Sequence, residues 1–260
     1  MLEQHTSSPG KPEQPASVES PIPVLPGYFN NDSEKSSYLS RMFDSAAPDY
    51  DRMERLLGLG SGSWYRRKAL ERAGLMRNMR VVDVAVGTGL VAREAATLVG
   101  DPTLVVGVDP SAGMMAGAKV PAGVRLLQGK AEAIPFPDAS FDFLSMGYAL
   151  RHVSSLAVAF REFQRVLKPG ARICILEITS PQGRIAKALL KVYMRGIVPT
   201  LGKLFARSNA TAELWRYYWD TIEACVPAKD VVSTLRACGF DDVRSEVHYG
   251  IFTEYQATRG

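Results

Sequence analysis

The stretch Asp83-Val84-Ala85-Val86-Gly87-Thr88-Gly89 combines one acidic residue with two closely spaced glycines. Its apolar residues predict a strand, and residues 90–98 have the pattern of a helix. Gly87 and Gly89 suit a sharp turn that a ligand can approach closely. The first backbone N–H groups of the helix would then point at that ligand. The stretch therefore predicts a binding site for a nucleotide-like molecule.

A second acid refines this prediction. Asp109 follows the next predicted strand, 104–108, and its carboxylate could accept hydrogen bonds from both hydroxyls of a ribose. Gly87-x-Gly89-x-x-Ala92 with Asp109 also fits the fingerprint of an NAD(P)-dependent oxidoreductase. Asp83 favours another ligand, because an acid inside the first strand would repel a pyrophosphate and attract an ammonium group. S-adenosylmethionine (SAM) carries an ammonium group on its amino-acid tail, so we expect SAM.

Composition narrows the class of protein. The 260 residues are 46% hydrophobic, which is enough for one α/β domain with a full core. The formal net charge of +4 does not indicate nucleic acid as a partner. Cys174, Cys225 and Cys238 lack the spacing of a metal site or disulfide framework, so we expect no metal and a reducing, cytoplasmic compartment. No apolar run reaches the length of about eighteen residues that a membrane-spanning helix needs.

The N-terminal third predicts a leader followed by helices. Residues 1–27 are rich in proline and polar residues and are expected to form a flexible leader. Residues 28–260 are expected to form one domain. Within it, a helical stripe begins near Tyr38, is interrupted over 45–51 and resumes over 56–72. We interpret residues 28–78 as a helical lid over the glycine turn, with a packing appendage as the alternative.

Strands alternate with helices after the lid and predict a parallel sheet with right-handed crossovers. Further strands are expected over 124–127, 141–146 and 171–178, and residues 181–228 are expected to form a helical insertion on the substrate side. The last strands, 242–247 and 251–257, have so short a link that they must form an antiparallel hairpin, which an NAD-type domain normally lacks. The predicted fold is a Rossmann-like α/β domain with a seven-stranded, mostly parallel sheet, a C-terminal antiparallel hairpin and an N-terminal helical lid.

Several motifs between residues 42 and 258 extend this picture. They are Phe43-x-x-x-Ala47-x-x-Tyr50-Asp51, Tyr65-Arg66-Arg67, Asp83-x-x-x-Gly87-Thr88-Gly89, Ala131-Glu132-Ala133-Ile134-Pro135-Phe136, Leu150-Arg151, Arg165-Val166-Leu167-Lys168-Pro169-Gly170 and Leu176-Glu177. With them the chain resembles a class I SAM-dependent methyltransferase, and more narrowly the ubiquinone/menaquinone-biosynthesis C-methyltransferase family. The resemblance implies SAM contacts at Thr88, Asp109, Lys130, Ala131 and Gly147.

Three positions depart from the pattern of that family. Lys130 stands where the family usually has Asp or Asn, and a lysine cannot accept a hydrogen bond from the adenine amino group. His152 follows Arg151 where the quinone enzymes tend to have Arg-Asn, and Glu54 replaces an Asn. Most of these changes fall on the expected substrate side.

Candidate catalytic residues follow the fourth strand. Methyl transfer to a phenol or a ring carbon requires removal of a proton, and His152 is the best base because an imidazole titrates near neutral pH. Arg151 could stabilise a phenolate, with a structural ion pair as the alternative. Tyr50 could close over SAM, with core packing as the alternative.

A basic helix is expected over 184–195. Arg184, Lys187, Lys191 and Arg195 fall on one face, and no acid occurs between Glu177 and Glu213. A solvated basic face is the ordinary explanation of this pattern. Contact with an anionic membrane surface is the alternative, and it would suit a prenyl-lipid acceptor.

Together these features predict a SAM-dependent methyltransferase acting on a small or lipidic aromatic or isoprenoid acceptor, with C-methylation favoured. An O- or N-methyltransferase of secondary metabolism is the nearest alternative. An NAD(P)-dependent oxidoreductase and a non-catalytic SAM-binding protein are the alternatives from other classes.

Overall fold

The computed structural model describes residues 20–25, 27–57, 60–181, 183–198, 200 and 210–260. Its strands are β1 (Val81–Val84), β2 (Val105–Asp109), β3 (Arg125–Gln128), β4 (Phe141–Gly147), β5 (Leu167–Ile178), β6 (Phe240–His248) and β7 (Phe252–Arg259). Its α-helices are α1 (Asp32–Leu57), α2 (Gly62–Arg72), α3 (Leu90–Val99), α4 (Ala112–Ala116), α5 (Leu156–Val166), α6 (Arg184–Val192), α7 (Ala210–Ala224) and α8 (Ala228–Ala237).

The described strands form one seven-stranded sheet in the order β3-β2-β1-β4-β5-β7-β6. Strands β1 to β5 are parallel, and β7 runs antiparallel to both β5 and β6. Neighbouring residues of one strand face opposite layers, since Leu144 packs with α5 and α8 while Phe143 packs with α2 and α3. The predicted Rossmann-like, mostly parallel sheet is confirmed.

The C-terminal hairpin is also confirmed, with its turn one residue later than expected. His248 pairs with Phe252, and within the three-residue link between them Tyr249 and Gly250 both have positive φ, 53° and 75°, as tight hairpin turns commonly do. Ile251 donates a backbone hydrogen bond to the carbonyl of His248 at 3.3 Å. The short link therefore reverses the chain tightly.

The expected break over 45–51 is wrong, because α1 continues through Pro48. A proline inside a helix costs about 3 kcal/mol, since it removes one hydrogen bond and crowds the preceding turn. Tertiary packing offsets this cost. Leu39, Met42 and Met53 on α1 are buried in one apolar cluster with Tyr217 and Trp219 of α7.

The expected leader overlaps a packed segment at its C-terminal end. Ile22 is only 1% exposed and belongs to the same cluster as α1 and α7. The carbonyl of Pro21 accepts a hydrogen bond from Val226 N at 2.9 Å. Residues 1–19 lie outside the described part of the chain, and so does 201–209 within the expected insertion. Among the described helices, none is long and apolar enough to cross a membrane.

Candidate functional site

A cavity of about 290 Å³ opens at the carboxyl ends of β1 and β4. The strand order reverses between these two strands, which is where open α/β sheets bind ligands. Nine residues predicted from the sequence line it: Tyr50, Asp83, Gly87, Thr88, Asp109, Lys130, Ala131, Gly147 and His152. Gly89 lies directly behind this lining, at the N-cap of α3.

The glycine turn gives the cavity its floor. Gly87 and Gly89 have φ values of 56° and 85°, a region that other residues adopt only with strain. A Cβ atom at Gly89 would lie 2.3 Å from the side chain of Val120. Ala85 also has positive φ, 56°, at the end of β1. The turn is therefore fixed both by backbone conformation and by lack of space.

Asp109 anchors the turn from the end of β2. Its Oδ2 accepts from Gly87 N at 2.7 Å, and its Oδ1 accepts from Ser111 N at 2.8 Å. Burial raises the pKa of this carboxyl group, and the two backbone donors act in the opposite direction. A carboxylate has about four lone-pair positions, so two backbone bonds leave room for the hydroxyls of a ribose.

Asp83 lies inside the sheet and is 1% exposed. Ser145, its register partner on β4, donates to Asp83 Oδ1 at 2.7 Å. Oδ2 is buried and has no hydrogen-bond partner of good geometry among the described residues. Burial raises the pKa of Asp83 to about 7, although Ser145, the backbone of Ala92 and the charge of Arg66 lower it. An ammonium group would satisfy the free oxygen and stabilise the charged form.

Lys130, which departs from the family pattern, lies on the side of the cavity expected to hold adenine. Lys130 is exposed at the rim, whereas Ala131 beside it is buried. Both line the cavity, together with Glu132. Glu132 is itself fixed, because its Oε1 accepts from Ser154 N at 2.6 Å. The lysine therefore adds a positive charge to this rim and no acceptor.

His152 sits in a box of aromatic rings. It stacks on Tyr217 and Tyr218, with centroids 5.5 and 6.1 Å away, and the ring of Phe43 meets it edge-on at 5.4 Å. Its Nδ1 lies 3.3 Å from the Tyr217 hydroxyl. Its Nε2 is buried and has no hydrogen-bond partner among the described residues. A bound molecule could supply the missing partner.

The expectation that His152 titrates near neutral pH is wrong. Burial lowers its pKa well below 6.5, and the positive charges of Arg151 and Lys35 lower it further. The imidazole is therefore neutral at physiological pH. A neutral ring can still accept a proton, although its basicity is weaker than that of an exposed histidine.

Arg151 does not contribute to the cavity lining, which corrects the idea that its guanidinium faces a phenolate. The side chain is fully buried and forms an ion pair with Glu177. Its Nε donates to Thr221 Oγ1 at 3.2 Å, and its guanidinium carbon lies 4.7 Å from the ring centre of Tyr218. Arg151 thus supports the aromatic box from behind.

Helix α1 is bonded to both loops of the cofactor side. Asp51 accepts from the hydroxyl of Thr88, and Asp44 accepts from the hydroxyl of Ser111 and from Gly113 N. Tyr50 points the other way, with its hydroxyl 3.1 Å from that of Tyr218. The helix therefore spans the cavity.

Sequence reasoning missed several residues that line this cavity. They are Lys35, Leu39, Phe43, Arg66, Tyr148 and Tyr218. Phe43 and Arg66 stood inside quoted motifs without an assigned role, whereas buried Lys35 has no local signal in a polar helix. Tyr148 could have been suspected from its place after Gly147, at the end of a strand that borders the glycine turn.

The sheet order, the terminal hairpin and the position of this cavity match the architecture of the class I SAM-dependent methyltransferases. The model of the ubiE/COQ5 methyltransferase family matches residues 31–259, and the chain belongs to this family. It is a SAM-dependent methyltransferase, as the sequence predicted, and neither an NAD(P)-dependent oxidoreductase nor a non-catalytic SAM-binding protein.

Named relatives are similar over nearly their whole length. The ubiquinone/menaquinone biosynthesis C-methyltransferase UbiE of Geobacter sulfurreducens is 33% identical over 236 residues, covering 88% of this chain and 91% of the relative. The demethylmenaquinone methyltransferase of Bacteroides fragilis is 31% identical over 239 residues, which cover 89% of this chain and 96% of the relative.

Solved structures share the fold. A SAM-dependent methyltransferase of Thermotoga maritima has a TM-score of 0.60 at 20% identity and covers 85% of this chain and 100% of its own. The [4+2]-cyclase SpnF has a TM-score of 0.61 at 19% identity, and the match covers 92% of this chain and 98% of the cyclase. Since that protein is described as a cyclase, the fold alone does not fix the reaction.

Asp83 provides a test of the cofactor side. In the free protein, Asp83→Asn removes a buried group whose folded pKa, about 7, exceeds its unfolded value. A raised pKa favours folding below the unfolded pKa, and this contribution is lost as pH rises toward 7. In urea unfolding, the free energy of unfolding of the variant should therefore rise relative to that of the wild type between about pH 4 and 7. The rise should be about 1–4 kcal/mol, with a plateau above pH 7. Exposed Asp241→Asn should show no such trend, and a gain that shrinks with rising pH would contradict the assignment.

Proposed function

We propose that this chain transfers the methyl group of SAM to a ring carbon of a quinone-type acceptor in its hydroquinone form. The named relatives act on ubiquinone and menaquinone precursors or on demethylmenaquinone, and they support this acceptor class. The observation in the structure that carries the proposal is the free Nε2 of His152 inside an aromatic box. Phe43, His152 and Tyr218 line the cavity, and aromatic side chains of this kind pack well against a flat aromatic ring.

The hydroquinone form follows from the chemistry. A quinone ring is poor in electrons, whereas a hydroquinone that loses a hydroxyl proton becomes nucleophilic at the neighbouring ring carbon. When bound, SAM supplies a methyl group already activated on a sulfonium. The carbon–carbon bond forms as the carbon–sulfur bond breaks, and aromaticity is restored when the ring carbon loses its hydrogen as a proton and the neighbouring ring oxygen regains one.

The protein's own residues then have distinct roles. Asp83 would bind the ammonium group of the cofactor and Asp109 its ribose. His152 would accept the hydroxyl proton of the acceptor at Nε2, since its imidazole is neutral at physiological pH. Arg151 would act as a positioning residue, because it fixes Tyr218, on which His152 stacks.

Product analysis tests the acceptor and the methylated atom. A short-chain demethylmenaquinone kept reduced with dithionite, together with SAM labelled with ¹³C at the methyl group, should give a C-methyl product visible by NMR. The oxidised quinone is the matched control and should give none. An O-methyl product would contradict the proposal and favour the O-methyltransferase alternative.

His152→Ala should lower kcat by about a hundredfold while leaving the affinity for SAM unchanged, since the proton acceptor is lost and the cofactor side is not touched. The wild-type rate should stay level near neutral pH and fall only well below pH 6.5, where His152 becomes protonated. His152→Asn should lack that acid limb. His248→Ala, a histidine outside the cavity lining, is the control and should keep full kcat. Full turnover in His152→Ala would remove the base role.

Contact with a membrane would help an acceptor that carries a prenyl tail. Ile185, Leu189 and Val192 lie on one face of α6 and are 79%, 67% and 62% exposed. The basic residues of the helix lie beside this face. Lys187 of α6 lies 2.8 Å from Glu223 of α7, and Arg195, just after the end of α6, lies 3.7 Å from Asp220 of α7. Exposed apolar residues beside basic ones are typical of a helix at an anionic lipid surface.

Vesicle flotation tests this contact. The wild type should float with vesicles that contain phosphatidylglycerol, less so at high salt, and not with pure phosphatidylcholine. The double variant Ile185→Ser/Leu189→Ser should lose about tenfold or more of this binding, because its apolar face is removed. Val158→Ser, at an exposed apolar position on α5, is the control and should bind as the wild type does. Equal binding by the double variant would rule out α6 as the contact.

A further inference from the structure

Arg66 places a buried positive charge in the wall of the cofactor cavity. It lies on α2, is 4% exposed and lines the cavity. Its Nε is buried and has no hydrogen-bond partner among the described residues. Guanidinium N–H groups can only donate, and a buried donor without an acceptor destabilises the free protein. The arrangement therefore calls for an acceptor on a bound molecule.

Two contacts orient the guanidinium before any ligand arrives. Its Nη2 donates to Glu54 Oε1 at 2.7 Å, so one end of the group is fixed to α1. Its carbon lies 5.7 Å from the ring centre of Tyr148, within the range of a cation–π contact. Glu54 and Tyr148 thus leave the Nε edge free and hold it in place, which reduces the entropy lost on binding.

Tyr148 owes its own position to the end of β4. It has φ of 61°, an uncommon value for a tyrosine, and its N–H donates to the carbonyl of Leu176 at 2.7 Å. A strained backbone persists only where its surroundings hold it, and such residues cluster at functional sites. The sheet therefore determines where the guanidinium of Arg66 lies.

Asp83 is the matching negative group. Its Oδ2 can only accept when ionised, has no partner of good geometry among the described residues, and belongs to the same cavity. Arg66 and Asp83 line the same cavity, and the charge of Arg66 lowers the pKa of Asp83. Arg66 thus offers an unpartnered, positively charged hydrogen-bond donor, and Asp83 offers an unpartnered acceptor that is negatively charged when ionised. The two are complementary to an α-amino acid, which carries its ammonium and carboxylate on one carbon.

We propose that Arg66 binds the carboxylate of the cofactor's amino-acid tail through Nε, while Asp83 binds its ammonium group. Glu54, which stands where the resembled family has Asn, holds the Nη2 end of Arg66. The proposal rests on SAM as the cofactor and is independent of the acceptor. A failure to detect C-methylation therefore leaves it unaffected.

Calorimetry with two ligands tests the assignment. S-adenosylhomocysteine keeps the amino-acid tail, and S-adenosyl-3-thiopropylamine lacks only its carboxylate. The wild type should bind the first more tightly by about 10- to 100-fold. In Arg66→Gln, affinity for S-adenosylhomocysteine should fall by about that factor while affinity for the decarboxylated ligand stays the same. The preference for the carboxylate should therefore nearly vanish.

Two further variants make the result specific. Arg67→Gln is the matched control. Arg67 is next to Arg66 in the sequence, but it is paired with Glu94 and lies outside the cavity lining, so this variant should keep the wild-type preference. The double variant Arg66→Gln/Glu54→Gln also removes the carboxylate of Glu54 that the loss of Arg66 would leave without its partner, and it should lose the preference as Arg66→Gln does. An equal loss of affinity for both ligands, or an unchanged preference, would overturn the role of Arg66. If the wild type binds neither ligand, the cofactor assignment fails first.

Discussion

The buried carboxyl group of Asp83 is the constraint on which the rest of the site depends. It lies in the middle of a parallel sheet, where desolvation raises its pKa to about 7. Within the described part of the chain, only one of its oxygens has a hydrogen bond of good geometry, from Ser145 on the neighbouring strand. Burying a carboxyl group there weakens the free protein, since nothing in the sheet compensates it fully. The ammonium group that we propose for this position would offset that cost.

A second set of buried charges supports the acceptor side without touching it. Arg151 and Glu177 pair at 0% and 1% side-chain exposure, and Thr221 accepts from the guanidinium. Breaking such a pair would leave an uncompensated buried charge, so the network fixes the surrounding rings. It holds Tyr218 against the guanidinium and thereby the stack around His152. Both halves of the cavity are thus positioned from the layer behind them.

The local sequence pattern was sufficient to predict several of the residues that line the cofactor side of the cavity. The glycine turn, the acid before it and Asp109 lie within one strand–turn–helix–strand unit, so their spacing along the chain already fixes their spacing in the fold. The terminal hairpin was predictable for the same reason, because a link of only three residues between two strands allows only antiparallel pairing. The family resemblance rested on these same local motifs, and the family match agrees with it.

Long-range packing decided what local pattern could not. Pro48 predicts a break, yet α1 passes through it because its apolar stripe is buried against α7. The neutral state of His152 and the ion pair of Arg151 depend on burial by α1 and α7, which approach the sheet only in the folded chain. The orientation of Arg66 also depends on the folded chain, since its partners Glu54 and Tyr148 belong to other elements, the helix α1 and the end of β4. The sequence by itself determined the class of cofactor and the glycine turn that lines the cavity. Only the tertiary structure decided which charges are buried, because desolvation depends on every element packed around a group.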